Sequence, residues 1–225
     1  MQKSMPQLTG SGSDFLDGGV SMITIDPSTM SERDNYKFLT GTIIPRPIAI
    51  VSSISNEGVV NIAPFSYFTI VSANPPMIAV SVQRKNGKKK DTSQNILDSG
   101  EFVVHVTDES NIEDANQCAA ELPPNVSELE VSSFQLTESE TVRVPGIVPA
   151  KVRMECTLAK AIPLGGQVAD DASCDLIIGN VTRYHIDESI YENGRIDAEG
   201  LRPVSRLAGN QYMKMGEQFI LERPK

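Results

Sequence analysis

The run RKNGKKKDTSQNIL, residues 84–97, sets Arg84, Lys85, Lys88, Lys89 and Lys90 directly before a stretch built to start a helix. Asp91 is a candidate cap, Gln94 completes the capping-box spacing, and Gly100 is placed to stop the helix. A helix N-terminus presents unpaired N–H groups and about half a positive charge. With Lys90 beside it and the hydroxyls of Thr92 and Ser93 on its first turn, this end suits a phosphate monoester. The same lysines also read as a solvated hairpin tip that keeps an edge strand soluble. Arg84, Lys85 and Lys88 fit that second role, whereas Lys90 and Thr92 touch the helix start. No P-loop pattern is present, so a triphosphate cradle is unsupported.

A second stretch, NIAPFSYFTIVSANPPMIAVSV at residues 61–82, puts Asn61, Ser66 and Tyr67 into an otherwise apolar strand–bend–strand. Pro64 removes one N–H and bends the chain, freeing neighbouring backbone groups. An apolar slot with a few polar groups is what a flat heteroaromatic ring needs. A bulged barrel strand with satisfied polar groups would read the same way. Elsewhere chemistry is sparse. His105 alternates with Val104 and Val106 and reads as structural. His185 could serve a redox site or be an ordinary strand histidine. The two histidines lack partner spacing, so no metal site is expected. Asp170, Asp171 and Asp175 read as a solvated turn. Cys118, Cys156 and Cys174 form no CxxC and suit buried thiols in a reducing compartment.

The elements that must position these residues follow from pattern. The chain has 225 residues, 40% hydrophobic, with formal net charge −9. That balance argues against nucleic acid as a partner. No run approaches a membrane span and no signal pattern opens the chain, so a soluble cytoplasmic protein is expected. Residues 1–20, rich in Ser and Gly, read as a flexible arm, and residues 21–225 as one domain. A short helix is predicted over DPSTMSERDNYKFLTG, capped by Ser28 or Ser31 and stopped by Gly41. Two β-branched runs around SNEG predict a hairpin, ANPP and NG predict turns, and EFVVHVT a buried strand. Residues 111–121 read as a helix and 125–149 as irregular. KVRMECTLAKAIPL and CDLIIGNVTRYHID read as two long strands, and the tail as mostly loop with a final strand. Short strands with few helices predict a mainly β, antiparallel barrel with helical decoration.

In this order and spacing, RPIAIVSSISNEGVVNIAPFSYF, NPPMIAVSV, KDTSQNI, VRMECTL, GNVTRYHID and RLAGNQY resemble the flavin reductase-like family over roughly residues 36–220. The resemblance implies a six-stranded Greek-key split barrel, a homodimer, and FMN rather than FAD bound near the subunit interface. It implies that Arg46 and the strand after it, with Ser52, approach the flavin. Asn61, Ala63, Pro64, Phe65 and Ser66 would line ring and ribityl chain, with Ser81 nearby, and Lys90, Asp91 and Thr92 would hold the phosphate. His185 would lie near flavin or nicotinamide as the candidate catalytic residue. Arg206 and Tyr212 would belong to a segment that folds over the site. The activity implied is transfer of hydride from NAD(P)H to FMN, with reduced flavin passed to a partner oxygenase. An electron-transfer flavoprotein with firmly held FMN and a non-enzymatic FMN-binding module remain the alternatives.

Overall fold

The computed structural model describes residues 21–224, and the expected N-terminal arm lies outside them. Helix α1 (Glu32–Thr42) begins at Ser31, whose Oγ accepts from the Asp34 N–H. Gly41 sits inside the helix instead of stopping it. The helix ends because Ile44 precedes Pro45, and a residue before proline is pushed out of helical backbone. Strand β1 (Arg46–Pro47) leads into β2 (Ala49–Ile54), which turns at Ser55–Gly58 into β3 (Val60–Phe65). Then come β4 (Phe68–Ala73) and β5 (Pro76–Gln83), joined at Asn74–Pro75.

The Asn86–Gly87 turn has φ of 52° and 73°, as its sequence predicts. Helix α2 (Asp91–Ser99) follows, but its cap is Lys90 and Asp91 is the first helical residue. Gln94 bonds Asp98 instead of closing a capping box. Gly100, with φ of 72°, ends the helix as expected. Strand β6 (Glu101–Val106) and helix α3 (Ile112–Gln117), shorter than predicted, come next. The region read as irregular contains two short paired strands, β7 (Gln135–Thr137) and β8 (Gly146–Val148). The long strands β9 (Val152–Leu164) and β10 (Cys174–Ile186) pair with each other. The small hairpin β11 (Tyr191–Glu192) and β12 (Arg195–Ile196), then α4 (Ala198–Leu201), lead to β13 (Val204–Arg206) and β14 (Tyr212–Lys214).

The main sheet is antiparallel in the order β3-β2-β6-β9-β10-β5-β4. Its two edge strands, β3 and β4, are consecutive in the chain and separated only by Ser66–Tyr67. The sheet therefore curls until its edges meet at that bend, closing a split barrel. The Ser81 N–H donates to the Tyr67 carbonyl at 2.8 Å, pinning the bend to β5. Counted as one bent strand, Val60–Ala73 reconciles the seven ladder strands with the six implied by the resemblance.

Alternation along β2 sorts the core. Ala49 and Val51 face the barrel interior with Phe65, Val80, Phe102, Val104 and Cys156, while Ile50 faces outward to Ile62, Ala115 and Ile147. Ile96 of α2 joins the interior set and stoppers one end. At Gly179 an added Cβ would come 2.4 Å from the Phe102 ring, so this position requires glycine for packing alone. Burial pushes the Cys118 thiol up to about 11, as suits a packing residue.

His105 is fully buried on the outer face of β6. Its Nε2 accepts from the Ile147 N–H at 2.9 Å, which fixes the tautomer, and its Nδ1–H donates to the Ile50 carbonyl at 3.0 Å. Burial lowers its pKa to about 4, so the unfolded chain takes up a proton more readily. Its stabilisation is complete above the ordinary value near ~6.5 and is lost as pH falls toward the folded value. We expect His105→Gln to lower stability at pH 7.5 by about 1–3 kcal/mol. In urea titrations the variant should also show a flatter decline between roughly pH 6.5 and 5. Equal slopes for wild type and variant would refute this role.

Candidate functional site

A cavity of about 390 Å³ opens where the barrel bend meets α1, α3 and the C-terminal hairpin. Its walls bring together Arg46, Pro64, Phe65, Ser66, Tyr67, Lys90, Arg206 and Tyr212 from the residues singled out in the sequence. Bend and hairpin come from opposite ends of the chain. Strand β13 pairs with β1, placing Arg206 opposite Arg46, and with β14, placing Arg206 opposite Tyr212.

Lys90 is both the α2 cap and part of the cavity wall, and its Nζ lies 5.7 Å from the centre of the Phe65 ring. A lysine cannot accept a hydrogen bond, so the first-turn N–H groups of α2 gain no side-chain cap. Behind Lys90 lies a buried polar cluster. Thr92 Oγ1 accepts from Asn61 Nδ2 at 2.9 Å, and Asn95 Nδ2 donates to Ser53 Oγ at 3.3 Å. Ser93 Oγ is buried and has no partner. The uncapped helix start with Lys90 on the cavity wall forms a donor set suited to an anionic oxygen.

Both terminal nitrogens of Arg46 act as a tie. Its Nη1 donates to the Thr40 and Ile43 carbonyls at 2.8 and 2.5 Å, and its Nη2 to the Leu207 carbonyl at 2.8 Å. The Arg46 Nε–H is buried and unpartnered. The C-terminal hairpin is latched over the cavity by a chain of bonds. Arg206 donates to the Tyr212 hydroxyl and stacks on its ring, and that hydroxyl donates to Asn116 Oδ1 at 2.9 Å.

The remaining sequence candidates lie off the cavity wall. Asn61 and Thr92 are behind it, and Asp91 is an N1 residue next to Lys90. Ala63 packs on the barrel core, and Ser81 accepts from Gln83 on β5. Ser52 is buried and donates to the Pro145 carbonyl at 2.7 Å, because its strand position turns it toward the 142–148 segment. His185 does not line the cavity. Its Nε2 meets Glu155 Oε1 at 2.6 Å, and Arg153 approaches its Nδ1 at 3.4 Å. Glu155 also accepts from the Glu140 and Thr141 N–H groups and from the Thr141 hydroxyl. These bonds outweigh burial and hold its carboxyl at about 2, so the cluster staples a loop to the barrel. Asp175 is not part of a solvated turn but is buried against Arg84. Tyr36, Thr40, Gln83 and Asn116 line the cavity without having been singled out. Only tertiary packing brings α1 and α3 there, so no local pattern marks them.

A closed barrel with an aromatic-walled hollow ending on a cationic helix start defines a small-molecule-binding split-barrel protein. The flavin reductase like domain model matches residues 40–200, and the chain belongs to that family of flavin-binding oxidoreductases. It is 48% identical over 205 residues to the uncharacterized protein YwrF of Bacillus subtilis (strain 168), covering 90% of this chain and 100% of that one. Its structure is similar to nitrilotriacetate monooxygenase component B from Bacillus cereus, with TM-score 0.88 and 57% identity over 90% of this chain and 100% of that one. The 2-nitrobenzoate 2-nitroreductase NbaA of Pseudomonas fluorescens is similar at TM-score 0.80 and 30% identity, over 90% and 96% of the two chains. Among the described residues no helix is long and apolar enough to cross a membrane.

The latch yields a direct test. Tyr212→Phe removes the hydroxyl that joins Arg206 to Asn116. Amide exchange over residues 204–214 should quicken about fivefold, the equivalent of about 1 kcal/mol of local stability, with little change in the barrel strands. Unchanged exchange in the hairpin would show that the hydroxyl holds nothing closed.

Proposed function

We propose that this chain binds FMN in the cavity and acts as an NAD(P)H:flavin oxidoreductase, as a homodimer that delivers reduced flavin to a partner oxygenase. The observation that carries the reading is the single hollow joining the Pro64–Ser66 bend to the Lys90-led helix start. A relative named as a monooxygenase component, 57% identical, supports the partner. The residues fit the group: Phe65, Pro64 and Ile48 give flat apolar walls, and Lys90 stands at the end adjoining the first turn of α2. Thr92 and Ser93 lie on that turn.

Bound flavin would supply the redox chemistry, accepting hydride from reduced nicotinamide. The protein's own task is placement. The bend lacks one N–H at Pro64, which leaves room for an aromatic edge against the backbone. Lys90 and the α2 N–H groups neutralise the phosphate. The latched hairpin limits water above the ring. His185, held by Glu155, is given no part in the chemistry of this cavity.

The dimer reading rests on apolar surface beside the cavity. Phe38 and Leu39 on α1, Ile43 just after it, and Ile70 on edge strand β4 are exposed, Ile70 by 79%. An apolar face of this kind marks an association surface, and α1 also supplies Tyr36 and Thr40 to the cavity wall.

Purified protein that oxidises NAD(P)H only when FMN is present supports the reductase. Yellow protein that no nicotinamide bleaches would favour an electron carrier or a binding module. Lys90→Ala with Thr92→Ala should weaken FMN at least about tenfold while barely changing riboflavin, which lacks the phosphate. Equal loss for both ligands rejects the phosphate assignment. Leu39→Glu with Ile70→Glu should sediment as a monomer where the parent protein is a dimer; a monomeric parent would defeat the dimer reading.

A further inference from the structure

We propose that the C-terminal arm, residues 215–221, crosses to a second copy of this chain and packs on the apolar face that α1 and β4 present there. Each subunit thereby fastens the hairpin over its own cavity to its partner. This rests on the dimer reading of that face and adds the segment that covers it.

Two apolar surfaces of this chain stand bare at once. One is the arm. It follows β14 without further helix or strand, and it makes no backbone hydrogen bond to another described residue. Yet Phe219, Ile220 and Leu221 are consecutive and 78%, 92% and 81% exposed. A run of this kind is unfavourable in water unless something covers it. The other surface is the face of Phe38, Leu39, Ile43 and Ile70, which Val71 extends along β4.

Arm and face are close in the fold and matched in length. Arg46 donates to the Ile43 carbonyl just after α1 and to the Leu207 carbonyl at the root of the hairpin, so hairpin and face share one side of the molecule. Seven extended residues reach about 23–25 Å, whereas the eleven residues of α1 span about 16 Å. Gly216 lies at the arm's root with nothing within 4 Å of an added Cβ, so the backbone turns freely there. The arm nevertheless leaves the face of its own subunit uncovered.

A second copy meets both needs together. In a two-fold pair each arm finds the partner's face while its own face receives the partner's arm. An unrelated protein that took the arm would leave α1 and β4 bare. Burying an apolar side chain of this size removes about 60–120 Å² from water. Both arms and both faces then supply most of the roughly 1,200–2,000 Å² of a stable interface. The arm follows closely on Tyr212, whose hydroxyl holds the hairpin on Asn116. An arm seated on the partner holds that hairpin from its far end as well.

The test is sedimentation of the full chain against concentration, for the parent protein and for Phe219→Asp with Ile220→Asp. Both side chains lie outside the core clusters, so the variant keeps its fold. The parent should be a dimer, and the variant should dissociate at a concentration at least about tenfold higher. Amide exchange over residues 204–214 should quicken in the variant, with the barrel strands unchanged. Leu39→Cys protein mixed with Ile220→Cys protein and treated with a bismaleimide should yield peptides linked between positions 39 and 220, a link that only two subunits can make. A dimeric parent whose variant dissociates at the same concentration overturns the arm and leaves the dimer reading standing. A monomeric parent overturns both. A mixture that never links the two positions refutes the crossing, and a weakened dimer with unchanged exchange over 204–214 refutes the fastening of the hairpin.

Discussion

The structure depends on one backbone constraint: a chain that leaves one edge of a curled sheet at Phe65 must enter the opposite edge at Phe68. Two residues make that passage, and the Tyr67 carbonyl is fixed to Ser81 as they do. Closure abolishes the open seam that a seven-stranded ladder would present there. It also leaves a short backbone segment that the sheet cannot fully pair, and that segment is the floor of the cavity. Barrel closure and the hollow for a ligand are thus two results of one bend.

The helix start is coupled to the same bend. Ile96 buries α2 in the barrel interior, and the Asn61–Thr92 bond holds its first turn against β3. Phe65 and Lys90 meet because one ends β3 and the other precedes α2. Interior packing therefore sets how far the cationic end stands from the aromatic wall, and a flexible lysine tip provides only the final adjustment.

Much of this was legible because its causes are local. Asn86–Gly87 encodes a tight turn, Gly100 a helix stop, and the β-branched run before SNEG the first strand of a hairpin. The bend at Pro64 and the lysine-led helix were also visible, and the fold brings Phe65 and Lys90 to one wall. What escaped depends on partners distant in sequence. Arg84 and Asp175 are 91 residues apart, and His185 and Glu155 are 30 apart. Nothing near Asp175 or His185 announces either pairing. The cap of α2 was misjudged by one position because Asp91 satisfies a statistical preference that Lys90, held in extended backbone, overrides. Tyr36 and Asn116 were invisible for a related reason: tertiary packing alone brings α1 and α3 to the cavity wall.

Arg46 links the end of α1 to the C-terminal hairpin region. One planar guanidinium grips carbonyls at the end of α1 and another at Leu207, more than a hundred positions further along. A lysine brings a single compact ammonium, which cannot address two separated strands of carbonyls from fixed angles. The commonest like-charge exchange is thereby closed to this position, and divergence of the cavity's lip must proceed around an immovable residue.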